Sequence, residues 1–356
     1  MERAFARALE LADRIDRAPD RLRLQTLWGL WAARRGSGQH REALAAAVRY
    51  QTVARSVGDQ SFVLLGDRIL ALTHHFLGDQ ALARRHMEQV RRIAQTSDSS
   101  LNTAFQLSPR VAAATLLARI LWLQGFPDQA MTMLREAIDA AQRSNHQLSI
   151  AYVLTFAGCP LSMWTGNLSE TQQFVNVLTE IGAKTRNNLR ADSLMRCWVQ
   201  ILRLRQGKAR DKLIASYIES RLDLSTLKDI LDFVSAPTVP APSPDDDVGD
   251  ALWCLPEVLR VNAELLPWRN EPGAAGTAES KFLRSIDVAR EQSALSWELR
   301  SAMGLARLWR RSGRAARARD LLASTYDRFT EGFGARPRRG AATHFRVVMT
   351  PIHHAT

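Results

Sequence analysis

The sequence predicts an all-α protein, folded as an αα-hairpin solenoid of about seven repeats. The stretch 116–141 has the pattern of one complete hairpin, because its apolar residues follow helical spacing on both sides of a Gly-Phe-Pro turn. Gly125 can take the positive φ that ends a helix, and Pro127 suits the first turn of the next helix. The same pattern recurs along the chain. Because one such hairpin cannot bury its apolar face alone, neighbouring hairpins are expected to stack.

The repeat is marked by a glycine that is followed five residues later by a small residue. Successive glycines from Gly38 to Gly207 are 40, 47, 41 and 41 residues apart, and the last pair is 40 apart. This period is longer than the roughly 34 residues of the tetratricopeptide repeat, but the turn is of the same kind, so the predicted solenoid is tetratricopeptide-like. The predicted repeat turns lie at Gly38, Gly78, Gly125, Gly166, Gly207, Gly273 and Gly313. The copy at Gly207 is weaker, because Lys212 occupies the position of the small residue.

In chain order, the helical pattern covers most of the first two thirds of the sequence. Two helices are predicted within 1–36, and the predicted segments that follow are 42–55, 62–90, 116–141, 150–163 and 192–204. Cys159-Pro160 interrupts one of these helices, and the proline should kink or end it.

The helical pattern fails once within the chain and again at its end. The segment from Ser235 to Gly249 holds four prolines and three consecutive aspartates, which indicates an exposed loop or linker. Helical pattern resumes at Leu255 and includes the stretches 294–310 and 314–329. After Gly334 no period remains, and we expect residues 335–356 to be mobile. The predicted divisions are a helical-repeat array at 1–234, a Pro/Asp-rich linker at 235–250, a second helical-repeat array at 251–333 and a basic, disordered tail at 334–356.

Tryptophans are predicted to anchor the core, because an indole buries a large apolar area. One example is the helical face that carries Leu24, Leu27, Trp28 and Trp31. The predicted core tryptophans are Trp28, Trp122, Trp198, Trp297 and Trp309.

Composition and charge favour a cytoplasmic protein. No run approaches the roughly 18–20 uncharged apolar residues that cross a bilayer, and the charged N-terminal segment lacks the apolar core of a signal peptide. The three widely spaced cysteines suit neither a disulfide framework nor a zinc site, and they fit a reducing compartment. From Arg310 onward, ten arginines and three acidic residues supply +7 of the net charge of +12. This distribution argues against a basic groove that runs along the whole solenoid.

The motifs that carry catalysis or cofactor binding do not occur in the sequence. Gly207-Lys208 lacks the preceding glycine of a phosphate loop, and the dinucleotide, serine-hydrolase and zinc-protease motifs are missing. His74, His75 and His86 lack the i,i+4 spacing of a metal pair, and Asp245–Asp247 lacks the spaced ligands of a calcium loop. We therefore expect no catalytic residues, no cofactor-binding residues, no metal ligands and no enzymatic activity.

Four stretches of the sequence resemble a known family. They are His74–Asp79 with Ala83–His86, Leu121–Ala130, Ser296–Arg300 and Tyr326–Phe333. Together they resemble the C-terminal tetratricopeptide-like repeat region of bacterial transcriptional regulators that join a winged-helix DNA-binding domain to a STAND-type ATPase. The resemblance covers roughly residues 20–333, and the last two stretches are the most specific.

The resemblance implies a non-catalytic protein-interaction or sensor module that acts in signal transduction and controls an ATPase-type regulator. A protein or peptide partner would bind the concave face of the solenoid, and a detached NTPase/DNA-binding regulator is one candidate; no membrane partner is expected. The DNA-binding and ATPase domains are not part of this chain, so neither activity can be carried over. Pro337, the basic tail and the Pro/Asp segment depart from the family pattern, and we expect a fragment or a shifted reading frame near the end of the gene.

Two alternatives stay open. The first is a nucleic-acid-binding protein that uses its Arg-rich C-terminus, at least for weak non-specific binding, because arginines neutralise phosphates. The second is a helical-repeat enzyme whose site has no recognised motif.

Overall fold

The computed structural model describes residues 2–14, 19–96, 107–184, 198, 249–266 and 272–332. Within these residues every regular element is a helix, and successive helices pack against each other, which confirms the predicted all-α class. The α-helices are α1 Glu2–Arg14, α2 Asp20–Gly36, α3 His40–Val57, α4 Gln60–Phe76, α5 Gln80–Thr96, α6 Pro109–Leu123, α7 Pro127–Arg143, α8 Gln147–Val153, α9 Cys159–Trp164, α10 Leu168–Lys184, α11 Leu255–Leu265, α12 Ala274–Glu291, α13 Leu295–Arg311 and α14 Ala315–Tyr326. A π-helical turn covers Leu154–Gly158, and a 3-10 turn covers Leu252–Cys254.

The predicted turn glycines have the left-handed conformation that the sequence pattern requires. The described members have φ between 74° and 89°, and they are Gly38, Gly78, Gly125, Gly166, Gly273 and Gly313. At five of them the residue after the glycine donates its N–H to the carbonyl five residues earlier, as Phe126 does to Leu121 over 2.8 Å. These bonds satisfy carbonyls that the helix end leaves open. Gly207 lies outside the described residues.

The small residue that follows each described turn glycine by five positions is completely buried. Each of the six is at most 1% exposed, and they are Ala43, Ala83, Ala130, Thr171, Ala278 and Ala318. A small side chain at this point lets the second helix of a hairpin lie close to the first. The glycine and the small residue therefore specify the hairpin together: the glycine permits the turn, and the small residue permits close packing of the two helices.

Helix α6 occupies the centre of the molecule. Of its 15 residues, 14 are buried, and its apolar residues surround the helix axis instead of forming one stripe. A helix with this distribution is enclosed on all sides. Helices α5 and α7 pack against it along the chain, while α4, α8 and α9 contact it as the first helices of neighbouring hairpins.

The first helices of the hairpins lie side by side. Helix α6 contacts α4, α8 and α9 in this way, and α11 contacts α13 in the C-terminal part. With α2, which has the same place in its own hairpin, we call these helices the inner layer.

The helix does not end at Pro160, but its hydrogen-bond pattern changes just before this residue. The π-helical turn Leu154–Gly158 comes directly before Cys159-Pro160, and α9 follows it. A π turn shifts the hydrogen-bond ladder by one residue, which accommodates a proline that has no N–H to donate. The helical path therefore continues with an altered pattern instead of ending.

Several predicted segments lie outside the described residues. These are most of 185–248, including nearly all of the Pro/Asp-rich linker, and the tail from 333 onward. Trp198 is the one described residue in its neighbourhood, and it is 3% exposed.

Candidate functional site

The C-terminal helices contact N-terminal hairpins that are far away in sequence. Ser296 Oγ donates a hydrogen bond to the carbonyl of Trp122 over 2.5 Å, although the two residues are 174 positions apart. Asp250 accepts the backbone N–H of Arg41 over 3.1 Å and forms an ion pair with its guanidinium at 3.3 Å. We call this contact region the seam, and its main members are Arg41, His75, Arg119, Trp122, Asp128 and Trp164 on one side and Asp250, Trp253, Ser296, Trp297 and Glu331 on the other.

Three indoles form the centre of the seam. The ring centroids of Trp122 and Trp164 are 4.5 Å apart, and Trp297 lies 5.3 Å from each of them in an edge-to-face arrangement. The rings come from α6, α9 and α13, so they join both parts of the molecule. Edge-to-face and offset aromatic pairs are favourable beyond the apolar area that they bury.

A buried arginine extends this aromatic cluster. The guanidinium carbon of Arg119 lies 4.3 Å from the ring centroid of Trp253 and 5.7 Å from that of Trp164. Its Nη1 donates to the carbonyl of Phe156 over 3.4 Å, within the π-helical turn. The ring of His75 lies 5.3 Å from that of Trp253. The 3-10 turn that carries Trp253 therefore covers polar groups of α4 and α6.

The other end of the seam joins residues after α14 to the beginning of α7. Glu331 Oε1 accepts the N–H groups of Asp128 and Gln129 over 2.9 and 3.0 Å. The N–H of Gly332 in turn donates to Asp128 Oδ2 over 2.9 Å. A carboxylate at this position satisfies open N–H groups and interacts favourably with the helix dipole.

The stretches that carry the family resemblance meet at the seam. Leu121–Ala130 supplies Trp122 and Asp128, which contact Ser296–Arg300 and Glu331. His74–Asp79 supplies His75, which contacts Trp253. Sequence reasoning identified these stretches without predicting their contacts, because hydrophobic periodicity reports which face of a helix is buried but not what covers it.

The buried carboxylates of the C-terminal part are bound by arginines. Glu298 is completely buried and accepts hydrogen bonds from Arg290 over 2.8 Å and from Arg328 over 2.6 Å. Glu257 is held in the same way by Arg260 over 2.7 Å and by Arg300 over 2.6 Å. Ion pairs of this geometry hold neighbouring helices in place. They also leave neither Glu257 nor Glu298 as an unpaired carboxylate.

The three histidines near the second turn do not form a metal site. His74 and His86 stack with ring centroids 5.9 Å apart, and His86 Nδ1 lies 3.0 Å from Asp67 Oδ1. His75 faces away into the inner layer. Over the described ranges, no group of three or more His, Cys, Asp or Glu residues is arranged to hold a metal ion.

Four of the five predicted core tryptophans are buried, and one is not. Trp122, Trp198, Trp297 and Trp309 are 7%, 3%, 0% and 3% exposed. Trp28 is 45% exposed, so its predicted core position is wrong. Its helix α2 buries Leu24, Leu27 and Trp31.

The exposure of Trp28 follows from its place on the inner layer. Trp28, Arg68, Thr115 and Phe156 each stand ten residues before the turn glycine of their hairpin, so they are equivalent positions on neighbouring inner helices. Thr115 on the central helix is 1% exposed, whereas Trp28 on the outermost helix of the four keeps nearly half of its surface open. We call these four residues, together with Tyr152, the inner groove.

A small cavity lies between the inner groove and the seam. It has a volume of about 10 Å³, and its lining includes Leu72, His75, Thr115, Arg119, Tyr152 and Phe156. Burial lowers the pKa of His75 to about 3, and the positive charge of Arg119 acts in the same direction. At neutral pH the positive charge at this cavity therefore comes from Arg119, and the imidazole of His75 is uncharged.

Comparisons with known proteins do not identify a family or a function for this arrangement of residues. Neither the protein-family models nor the curated proteins include a match to this chain. None of the described helices combines the length and the apolar character that crossing a bilayer requires.

Proposed function

We propose that the chain is a non-catalytic protein-interaction or sensor module, built as a tetratricopeptide-like solenoid of about seven hairpins. It would act in the cytoplasm as the regulatory arm of an ATPase-type transcriptional regulator, as the resemblance of its four motif stretches implies. Its partner is a protein or peptide that binds the inner groove.

The observation that carries this proposal is the exposed Trp28 at a position equivalent to Arg68 on the next inner helix. Tryptophan and arginine are the residues that most often dominate the binding energy of protein interfaces. The indole of Trp28 is 45% exposed, and a partner that covers it gains the burial of its apolar area. The seam already covers α6, so the open part of the inner layer lies on α2, α4 and α8.

A peptide selection tests the proposal directly. A random heptapeptide library displayed on phage is selected against the immobilised full chain, and the most enriched peptide is synthesised with a fluorescein label. We expect Trp28→Ala to weaken binding of this peptide by about tenfold or more, because hot-spot truncations cost about 2 kcal/mol or more. The matched control is Val48→Ala on α3, whose side chain is 50% exposed on another helix. Equal loss in both variants, or no enriched peptide, would contradict the proposal.

The nucleic-acid alternative has less support from the contacts of the arginines. Within the described residues 310–332, Arg314 binds Glu279 through two nitrogens at 2.8 Å, Arg317 stacks on Trp309 at 4.3 Å, and Arg328 binds Glu298. Arginines with internal partners are less available to neutralise phosphates. A salt series with a duplex oligonucleotide separates the two functions, because phosphate contacts make affinity fall steeply with salt.

A further inference from the structure

We propose that a cavity between α1, α2 and α3 is a binding site for a small organic monocarboxylate with an apolar body. The cavity has a volume of about 220 Å³, and each of the three helices contributes residues to its lining. No member of the inner groove belongs to this lining, so the site is separate from the proposed peptide site. A free small molecule bound here would give the module a second kind of ligand.

The size of the cavity follows from small side chains where the three helices meet. Ala6 of α1 and Ala45 and Ala46 of α3 line it, together with Leu27 and Leu30 of α2. Protein cores normally contain few voids larger than a water molecule. A volume of about 220 Å³ corresponds to about seven water molecules, or to an organic molecule of about seven to ten non-hydrogen atoms. The space therefore suits a small ligand.

The floor of the cavity is apolar and belongs to the core. Leu27, Leu30 and Ala46 are 1%, 4% and 2% exposed. These three residues lie inside α2 and α3, so their backbone groups are already bonded within the helices. An extended peptide would bring an N–H and a C=O at every residue, and these groups need partners. The floor therefore favours an alkyl or aromatic body over a peptide backbone.

The charged residues of the lining carry more positive than negative charge. Arg34 of α2 and Arg49 of α3 line the cavity together with Glu10 of α1. Arg7 Nη1 donates to Glu10 Oε2 over 2.8 Å, so a cation of the same helix already pairs with this carboxylate. Two guanidiniums against one carboxylate leave the lining with one excess positive charge, which a monoanion balances. A carboxylate also matches the planar fork of N–H donors that a guanidinium presents.

Isothermal titration calorimetry of the full chain with sodium hexanoate tests the site, because hexanoate joins one carboxylate to an apolar chain of suitable size. Acetate lacks the chain and hexanol lacks the charge, so these two compounds are the ligand controls.

Two variants change the cavity at exposed positions of its lining. Ala45→Leu fills part of the space, and Arg49→Gln removes one positive charge. Their matched controls are Ala81→Leu on α5 and Arg55→Gln on α3, which make the same changes at exposed positions outside the lining. Arg34 is not used for this comparison, because its Nη1 also donates to the carbonyl of Glu42 over 3.2 Å.

We expect hexanoate to bind with a dissociation constant of about 1 mM or lower, which is in the range for ligands of this size. Acetate and hexanol should each bind about tenfold more weakly or worse, because each lacks one of the two complementary groups. Ala45→Leu should weaken hexanoate binding by about tenfold, since the leucine occupies the space. Arg49→Gln should weaken it by about fivefold, because hydrogen bonds to a charged group are stronger than neutral ones. The two control variants should change the dissociation constant by less than about twofold.

Three results would overturn the inference. The first is the absence of hexanoate binding at concentrations up to about 10 mM. The second is equal affinity for hexanoate and hexanol, which would mean an apolar cavity without a carboxylate site. The third is an unchanged dissociation constant for Ala45→Leu, which would place the ligand elsewhere.

The melting temperatures of the variants show whether each one is folded. If Ala45→Leu melts well below the wild type, Arg49→Gln against Arg55→Gln decides: a loss confined to Arg49→Gln supports the site, and equal affinities overturn it. The titration contains no peptide, so its failure leaves the proposed interaction function standing. Failure of the peptide selection, in turn, leaves this inference standing.

Discussion

At the level of single residues, His75 shows how the inner layer holds a polar side chain without charge. The imidazole is 1% exposed, and its Nδ1 lies 2.8 Å from Gln80 Oε1. Because Gln80 Nε2 donates to the carbonyl of His75, its Oε1 accepts, and Nδ1 of His75 carries the hydrogen. Desolvation is the largest cause of the lowered pKa of about 3, and Arg119 and His40 add to it.

This lowered pKa predicts a loss of stability in mild acid. The unfolded chain binds a proton at this imidazole below about pH 6.5, whereas the folded chain does not until about pH 3. Stability is therefore fully present above about pH 6.5 and falls as the pH decreases, by about 2 kcal/mol between pH 7 and pH 5. Urea unfolding of wild type and His75→Gln at these two pH values measures the difference. His146→Gln at the surface is the control, and an equal loss in wild type and His75→Gln would contradict the assignment.

At the level of helices and turns, the seam adds a second requirement for glycine at one of the hairpin turns. Gly125 has a φ of 89°, and a Cβ at this position would lie 2.8 Å from Cδ2 of Leu295 across the seam. Gly313 has a φ of 77°, and no atom lies within 4 Å of the corresponding point. Both need left-handed backbone, but only Gly125 also permits a close approach of another part of the molecule.

We expect Gly313→Ala to destabilise the protein by about 1–2 kcal/mol, since it only forces alanine into left-handed backbone. Gly125→Ala should cost about 1–3 kcal/mol more, because the added methyl group overpacks the seam. The free energies of unfolding in urea provide the comparison. Equal costs in the two variants would mean that Leu295 moves away freely and that the seam does not constrain this turn.

The hairpins could be predicted from sequence because each one is specified by residues that lie close together in the chain. A turn such as Gly125 and its buried partner Ala130 are five residues apart, so one short pattern specifies both. The seam could not be predicted in this way, since Trp122 and Ser296 share no short pattern. For the candidate site, the stripe on α2 predicted a core position for Trp28, and this was wrong because helical periodicity does not show whether another helix covers the outer part of the stripe.

At the level of the whole molecule, the seam makes the array different from an open solenoid. In an open array each repeat contacts only its neighbours, so distant repeats gain and lose structure nearly independently. Here contacts such as Asp250 with Arg41 and Trp297 with Trp122 connect the C-terminal part to hairpins that are far away in sequence. The same contacts leave only part of the inner layer open, so the proposed partner would bind at the uncovered helices, such as α2 with its exposed Trp28.

This connection predicts that a substitution on one side of the seam destabilises the other side. Trp122→Ala should lower the free energy of unfolding by about 3–5 kcal/mol, the usual range for a large aromatic residue lost from a core. Native-state hydrogen exchange should then show reduced protection in α13, because the variant removes the ring that packs against Trp297. Leu30→Ala on α2 is the control, since Leu30 is buried away from the seam and its effect should stay within the first hairpins. Reduced protection that is confined to α6 and α7 in the Trp122→Ala variant would show that the two parts of the chain unfold independently and that the seam carries little energy.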